Sequence, residues 1–432
     1  MGTASARGLP PRALVAGLVA LGLSGCATVS EPPPDVLLFT ACTLRPDHVG
    51  TYGYGEDTTP LLDRLAVRGV VFEEVLTAAP WTRPSVAAMI TGRHPRSLGI
   101  DNRLDAGIPP EETTLAEHLQ AAGYYTIGVT ANPNTNRSFG FAQGYDVYED
   151  TVRLWGEGYA RDKLTAEDVV ETFLTRLRFA PVDQPLFAHL VVVDVHGPYL
   201  RETARHVGVE LPARSQVQAY DRQVRYVDRV FGDLVATLSE RRQRAPLVMF
   251  DADHGEGLGS VRRGHGRELY DDTVWVPLVV LGPGVMPGRV KERVHTVDLV
   301  PTVLDLLGLD VPDDLPGRSL TPALHGEPVQ ALAEGFVETR MRTADKSALV
   351  AGDHKLILDW GVDPPAALLY DRAEDPRELR SVVREEPFLA ARYRSRLVAW
   401  RDQHPEPRPA ARQSPVLHPQ EVRALRALGY VQ

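Results

Sequence analysis

The 432-residue chain has little cysteine, no excess of basic residues and no apolar run long enough for a permanent transmembrane helix. Its 47 Lys and Arg are outnumbered by 57 Asp and Glu, which gives a formal net charge of −10. Nucleic acid is therefore not expected as a partner, because a phosphate backbone is bound by a basic surface. With 43% hydrophobic and 24% charged residues, the composition excludes a disordered chain, a collagen-like repeat and a multi-span membrane protein.

The N-terminal segment has the features of an export signal. Two arginines precede an apolar run over 13–23, and two small residues and Cys26 follow. This order resembles a bacterial lipoprotein signal, in which the cysteine becomes the lipidated first residue; a plain secretory signal ending near a cysteine is the alternative. We expect residues 1–25 to be removed and the exported protein to contact a bacterial cell envelope membrane through lipid on Cys26 only. Cys42, the other cysteine, then has no disulfide partner.

After a proline-rich spacer over 26–34, apolar runs alternate with segments that have helical patterns. The runs are typical of strands buried on both faces of a sheet, and they begin at Val36, Val70, Tyr125, Leu186, Pro246 and Val274. Helices are predicted over 58–69, 84–90, 113–122, 166–179, 216–241 and 297–307. This alternation predicts an α/β fold with a large, mainly parallel, doubly wound sheet, helices on both faces, and ligands at the carboxyl ends of its strands.

The pattern changes near the C-terminus. Residues 35–333 carry the α/β pattern, whereas 334–403 contain short β-rich segments and one helix, which predicts a small α+β subdomain. Residues 404–432 are predicted to be a proline-rich linker and tail, in which 421–428 is compatible with a final helical turn.

Polar residues gather where the predicted strands end, and parallel strands bring such ends to one edge of the sheet. These residues are Cys42 and Arg45 after the first strand, His196 after a later one, Asp253 and His254 after the next, and His265 and Arg267 in the following loop. Carboxylate and imidazole together suit one divalent ion such as Ca, Mg, Mn or Zn, which would polarise a phosphoryl or sulfuryl oxygen. Each motif taken alone also has a structural interpretation, since Asp253 followed by His254 and Gly255 is compatible with a simple turn.

Several segments together resemble the sulfatase family of the alkaline-phosphatase superfamily, in the same order over roughly 35 to 400. They are 43–54, 79–92, 253–256, 270–278, 317–320, 354–357 and 369–371. The resemblance implies an alkaline-phosphatase-like fold and a hydrolase or transferase that acts on sulfate or phosphate esters.

The active-site positions depart from the family pattern. The resemblance implies that Cys42 stands where the family has a metal-binding Asp, and Thr82 where it has the Cys or Ser that becomes formylglycine. Val86 replaces the supporting Arg, Leu98 a His and Gly266 a Lys. Because threonine cannot be converted to formylglycine, a conventional sulfatase mechanism is not expected.

Three functions remain open at this stage. In the first, Thr82 is the nucleophile, as in relatives with a threonine nucleophile, with His196 and His265 catalytic. Asp253 and His254 then bind the divalent ion, with Cys42 as a weaker third ligand, and Arg45 and Arg267 contact the anionic substrate. The second is a pseudoenzyme that binds anionic ligands at the cell surface without turnover. The third is a purely structural or interaction role.

Overall fold

The computed structural model describes residues 1–3, 33–150, 164–199, 215–259, 262–406, 417–428 and 430. Cys26 and most of the predicted signal segment lie outside these residues. The features below belong to the compact unit formed by residues 33–432. Within the described residues, no helix is both long and apolar enough to cross a bilayer.

Fifteen strands are found in the described residues, and nine of them form one central sheet. Along the chain they are β1 Val36–Ala41, β2 Val70–Leu76, β3 Tyr125–Thr130, β4 Val147–Asp150, β5 Leu186–Val192, β6 Leu247–Asp251, β7 Gly257–Leu258, β8 Arg263–Gly264, β9 Trp275–Leu281, β10 Gly288–Val290, β11 Val294–His295, β12 Gly335–Met341, β13 Ala344–Ala351, β14 His354–Asp359 and β15 Ala366–Asp371. The central sheet has the order β10-β2-β9-β6-β1-β5-β3-β4, and β11 also pairs with β2.

The first strand lies in the middle of this sheet, as its unbroken apolar sequence predicts. All six residues of β1 are buried, and it pairs in parallel with β5 and β6, with Val36 opposite Phe187 and Leu247. The sheet is mostly parallel, but β9 runs antiparallel to both β2 and β6. The short turn and the α-helical segment before β9 allow the chain to reverse its direction. Apolar residues alone predict a strand but not its direction.

Along the chain, most of the helices occur between strands of the central sheet. They are α1 Pro60–Ala66, α2 Thr82–Thr91, α3 Pro95–Leu98, α4 Leu115–Ala121, α5 Ala166–Leu177, α6 Gln216–Arg242, α7 Asp271–Val274, α8 Leu299–Leu306, α9 Thr321–Leu324, α10 Pro387–Gln403 and α11 Pro419–Ala427. The predicted start of α4 is confirmed, because Thr114 forms a capping box with Glu117.

A second sheet follows in the C-terminal part, with the antiparallel order β12-β13-β14-β15. Helix α10 covers one face of it, and its Leu397 and Trp400 belong to the same buried apolar cluster as Leu349 and Leu356 of the sheet. The sheet and α10 fall within the segment 334–403 that the sequence predicts as a small α+β subdomain.

Lys355 on β14 ties this second sheet to the loop that leads into α7. Its side chain is fully buried, and its Nζ lies 2.7 Å from Glu378 Oε1 and donates to the Leu269 carbonyl at 3.1 Å. It also forms a short ion pair with Asp271 at the start of α7. The pair holds the pKa of Asp271 at about 2, because the nearby Lys355 and Arg372 charges outweigh the effect of burial.

We expect Lys355→Met to destabilise the protein by about 3–5 kcal/mol, because it leaves buried carboxylates without their cation. Urea unfolding followed by circular dichroism measures this loss. Lys291→Met is the matched control, since Lys291 is exposed and should change stability by no more than about 0.5 kcal/mol. Equal stability of the two variants would contradict the structural role of Lys355.

Candidate active site

The turn after β1 is strained and faces the candidate site. Thr43 has a φ of +65°, in the left-handed region that is unfavourable for a β-branched residue. Its amide donates to Asp253 Oδ1 at 3.1 Å, and its carbonyl accepts from the Tyr220 hydroxyl at 2.7 Å. Cys42, directly before it, is fully buried and free of any disulfide. The turn thus brings Cys42 Sγ within 3.4 Å of Asn132 Nδ2.

Thr82 is the first residue of α2 and is fully buried. The sequence predicts this helix from Pro84, so the observed start is earlier and the candidate nucleophile lies within the helix, not before it. Its Oγ1 lies 3.3 Å from His254 Nε2 and accepts from Asn132 Nδ2 at 3.1 Å. The N-terminus of α2 favours negative charge beside this hydroxyl.

Asp253 fixes the loop after β6 to α2. Its carbonyl accepts from Thr77 Oγ1 and Ser85 Oγ, both at 2.6 Å. Its Oδ1 accepts from the backbone N–H of Thr43 at 3.1 Å and of His254 at 2.9 Å. Among the described residues, its Oδ2 has no hydrogen-bond partner, and it lies 3.4 Å from His254 Nε2. Backbone and side chain are therefore held from both sides, and one carboxylate oxygen is left beside the imidazole.

The tautomer of His254 follows from its surroundings. Its Nδ1 lies 2.9 Å from the Gly255 carbonyl oxygen, which accepts hydrogen bonds and cannot donate them. Nδ1 therefore carries the hydrogen, and Nε2 presents a lone pair toward the Thr82 hydroxyl. Burial lowers the pKa of His254 to about 4, so the imidazole is neutral at neutral pH.

His265 is the histidine of the group that is paired with a carboxylate. Its Nδ1 lies 3.1 Å from Glu256 Oε2. Burial alone would lower the pKa of His265, but the Glu256 carboxylate raises it above its ordinary value. Burial opposes the charge on Glu256 as well, yet the His265 charge holds the pKa of Glu256 at about 2. The ring of His265 packs on those of His254 and His196, with centroids 4.4 and 5.0 Å apart.

Two further side chains complete the site and were not predicted. Asn132, in the loop after β3, donates to Thr82 as described, and its Oδ1 accepts from the Asn134 amide at 2.9 Å, which fixes the amide orientation. The Tyr430 hydroxyl, from the C-terminal tail, lies 3.3 Å from Thr82 Oγ1. For Asn132, the available signal in the sequence was the asparagine-rich segment directly after a predicted strand. For Tyr430, it was the helical spacing of apolar residues in α11, just before Gly-Tyr.

The two arginines predicted to contact substrate lie apart from Thr82. Arg45 pairs with Asp47 through two bonds of 2.8 and 2.6 Å and donates to the Glu256 carbonyl at 2.9 Å. It is thus part of a structural ion pair. Arg267 is exposed and lines, together with His265, a cavity of about 530 Å³.

The backbone at Gly266 explains one departure from the family pattern. Gly266 has a φ of +95°, and a Cβ there would lie 2.2 Å from Met341 Sδ. A side chain at this position, where the resemblance places a lysine, would therefore be strained and crowded. The residues on either side of Gly266 are His265, which is paired with Glu256, and the exposed Arg267.

Comparison with known proteins identifies the family of this chain. A sequence profile of the family described as Sulfatase matches residues 34–309. The chain belongs to the sulfatase family. A second profile, described as N-sulphoglucosamine sulphohydrolase, C-terminal, matches residues 264–402 of this sulfatase-family chain.

Relatives and solved structures support the same conclusion. The Delta 4,5-hexuronate-2-O-sulfatase of Bacteroides thetaiotaomicron is 24% identical over 427 residues, which is 85% of this chain and 88% of the relative. The phosphonate monoester hydrolase of Agrobacterium radiobacter has a TM-score of 0.72 at 20% identity, covering 86% of this chain and 96% of that one. A protein solved in complex with its substrate D-glucosamine-2-N,6-O-disulfate has a TM-score of 0.71 at 17% identity, covering 86% and 98%. The predicted alkaline-phosphatase-like fold is confirmed.

Members of the sulfatase family typically use a divalent metal ion, and the sequence predicts one at Asp253 and His254. Asp253 Oδ2 and His254 Nε2 provide two donors. Burial, together with the Asp253 charge, raises the pKa of Cys42, so its thiol stays protonated and is a poor ligand. In the part of the chain that the structure describes, no three His, Cys, Asp or Glu side chains are arranged to hold a metal ion. The residues present do not complete a metal site, and the bound cation stays a prediction.

We expect Cys42→Asp to create the missing donor. Without added cation, the new carboxylate beside Asp253 should lower the melting temperature through repulsion between buried like charges. Added Ca²⁺ or Mn²⁺ should restore it and bind at least about tenfold more tightly than to the wild type, because ligand charge controls cation affinity. Thermal unfolding and calorimetry measure these effects.

Cys42→Ser is the control for this experiment, since it changes the side chain without adding charge. It should bind Ca²⁺ and Mn²⁺ no better than the wild type. If the wild type and Cys42→Asp bound cation equally well, the conclusion that two donors are too few would be wrong.

Proposed function

We propose that the protein is a hydrolase or transferase of anionic sulfate, phosphate or phosphonate esters in which Thr82 is the nucleophile. The observation that carries the proposal is the 3.3 Å separation of Thr82 Oγ1 from the lone-pair nitrogen of His254. A hydroxyl beside a neutral imidazole, itself oriented by a further hydrogen bond, is the usual arrangement of an activated nucleophile. Membership of the sulfatase family supports the ester class.

The pKa values of His254 and His265 are shifted in opposite directions, which suits the two histidines to different roles. Burial lowers the pKa of His254, which is neutral and accepts, whereas pairing with Glu256 raises the pKa of His265 and favours its charged form. Titratable groups whose environments separate their pKa values in this way are typical of acid–base pairs in active sites. We assign His254 as the base, a role in which its Nε2 lone pair is used for the Thr82 proton and not for the predicted cation. His265 is assigned as the acid, with His196 packed beside it.

The reaction then proceeds in two steps. The Thr82 oxygen attacks the phosphorus or sulfur atom while its proton passes to His254 Nε2. The bond to the leaving oxygen breaks with its electron pair, and His265 Nε2 donates a proton to that oxygen, which leaves an ester on Thr82. Water, or an acceptor hydroxyl in a transferase, then attacks that ester. His265 takes the proton of the attacking group, and His254 returns its proton to Thr82 Oγ1.

Protein groups also stabilise the negative charge in these steps. Asn132 Nδ2 donates at 3.1 Å to the attacking oxygen, and the N-terminus of α2 favours anions. Arg83, the second residue of α2, is fully buried, and the nearest groups that accept from it are carbonyl oxygens of Arg103 and Ala106 at 2.7 and 3.1 Å. The guanidinium is thus held by carbonyl oxygens, and the Asp101 carboxylate acts on it through space.

The pseudoenzyme is the second candidate, and burial of the reacting groups favours it. Thr82, Asp253 and His254 each have 0% of their surface exposed. Turnover requires an ester to reach these buried groups, whereas a pseudoenzyme can bind an anion without contact between that anion and Thr82.

Replacement of Thr82 separates these functions. With p-nitrophenyl phosphate, phenylphosphonate and sulfate esters as probes, Thr82→Val should lower kcat/KM by about 10³-fold or more, because it removes the nucleophile without changing the shape. Thr82→Ser should stay within about tenfold of the wild type, because it keeps the oxygen. Steady-state release of p-nitrophenol measures both. Equal rates for Thr82→Val and the wild type would contradict the proposal, and binding of phosphate by calorimetry without any turnover would favour the pseudoenzyme.

We also propose that the protein is held at a bacterial cell envelope membrane by lipid on Cys26. The order of charged, apolar and small residues before this cysteine supports it. In a bacterial host, Cys26→Ser should shift the protein from the membrane fraction to the soluble fraction and abolish labelling by radioactive palmitate, as fractionation and autoradiography would measure. Cys42→Ser should leave both unchanged. Membrane association of the Cys26→Ser variant would contradict the anchor.

A further inference from the structure

The C-terminal tail contributes a side chain to the middle of the candidate site. The Tyr430 hydroxyl lies 3.3 Å from Thr82 Oγ1, 3.2 Å from His265 Nε2 and 3.4 Å from His196 Nε2. These are the proposed nucleophile, the proposed acid and the histidine packed beside it. We propose that residues 417–428 together with Tyr430 form an intramolecular plug, in which the Tyr430 phenol occupies the position of the substrate's leaving group and has to withdraw before an ester can bind.

The contacts of the phenol match those required of a leaving group. In the proposed reaction, the leaving oxygen lies between the atom attacked by Thr82 and the proton on His265. The Tyr430 oxygen touches both of these residues at hydrogen-bond distance, so it fills the space that an ester would need. The inference rests on the proposed function only in assigning Thr82 and His265 these roles.

The plug closes the site to solvent. Tyr430 is 2% exposed, and the side chains of His265 and Glu256 are each 8% exposed. The ring of Tyr430 also lies 6.2 Å from the ring of Trp81, which directly precedes the nucleophile. The cavity of about 530 Å³ at Arg267 reaches His265 on the outer side. His265 thus contacts the cavity and, through its Nε2, the Tyr430 hydroxyl.

The docking of the tail is specific. Ala424 and Leu425 of α11 are fully buried, and Glu421 Oε1 accepts from Asn136 Nδ2 at 3.0 Å. Asn136 lies in the loop after β3 that also carries Asn132, so the tail binds the same loop that positions the nucleophile. Both groups are buried, so each would lack a hydrogen-bond partner without the other, and this cost favours the observed position of the tail.

The docking is also of a kind that can be reversed. Helix α11 has only nine residues, and an isolated helix of this length is unstable in water. Its order therefore depends on its contacts with the rest of the chain. Exchange between an ordered, bound segment and a disordered one is a common form of switch in proteins.

The thiol of Cys42 provides a test that does not depend on turnover. Cys42 is buried beside Thr82 and Asn132, and the chain has only one other cysteine. In a full-length Cys26→Ser background, iodoacetamide labels Cys42 alone. We expect Tyr430→Ala to raise the labelling rate at least about tenfold, because removal of the ring opens the site. Inorganic phosphate, measured by calorimetry, should also bind at least about tenfold more tightly, because it no longer competes with the phenol.

Two variants on α11 complete the design. Leu425→Glu places a charge in the buried face of the helix and should open the site to the same extent as Tyr430→Ala. Arg426→Ala is the matched control on the exposed face of the same helix and should leave labelling and phosphate binding unchanged. Tyr430→Phe keeps the ring and should label as slowly as the Cys26→Ser protein.

The outcomes distinguish the plug from its alternatives. Unchanged labelling in both Tyr430→Ala and Leu425→Glu would overturn the plug. Faster labelling with weaker phosphate binding would also overturn it, since Tyr430 would then be a binding group of the site. Faster labelling with tighter phosphate binding but no ester turnover would support the plug and contradict the proposed function.

Discussion

The candidate site depends on one carbonyl group, that of Asp253. Hydroxyls from two different elements, Thr77 after β2 and Ser85 on α2, donate to it at 2.6 Å. This joins the end of β6 to the helix that carries Thr82, although the two segments lie far apart in the sequence. The position of the His254 imidazole relative to the nucleophile follows from this connection, because His254 is the next residue along the chain. A site of buried groups can keep such distances only when the backbone is held on both sides.

The substitutions in this sulfatase-family chain change the chemistry and preserve the geometry. Cys42 and Thr82 remain beside Asp253 and His254, as the family pattern places them, but the carboxylate and the formylglycine precursor are gone. Beside Thr82 lie a His254 imidazole with a lowered pKa and a Glu256 carboxylate paired with His265. A thiol does not replace a carboxylate as a ligand for a hard cation, whereas a threonine hydroxyl does replace another oxygen nucleophile.

Much of the fold was predictable because β1, β5 and β6 carry continuous apolar sequences and end in polar residues. The same pattern predicted that His196, Asp253, His254 and His265 lie close together, and the structure places these side chains side by side; their roles stay predictions. The antiparallel direction of β9 was not predictable, because strand direction is set by the connection and not by the apolar residues themselves. The pairing of Arg45 with Asp47 was not identified from the sequence for a related reason, since nearby charges in a sequence do not reveal which partner they face.

Tyr430 was missed because its role arises from long-range packing. The sequence around α11 has the spacing of a short amphipathic helix, but nothing in it indicates which surface it covers. A tail predicted to follow a proline-rich linker is expected to be independent of the core, and Glu421 alone would not suggest a buried contact. The hydrogen bond from Asn136 supplies the partner, and it lies in the asparagine-rich loop that also orients the Thr82 hydroxyl through Asn132. Tail docking and nucleophile orientation therefore share one loop, so a change that loosens this loop affects access to the site and its chemistry together.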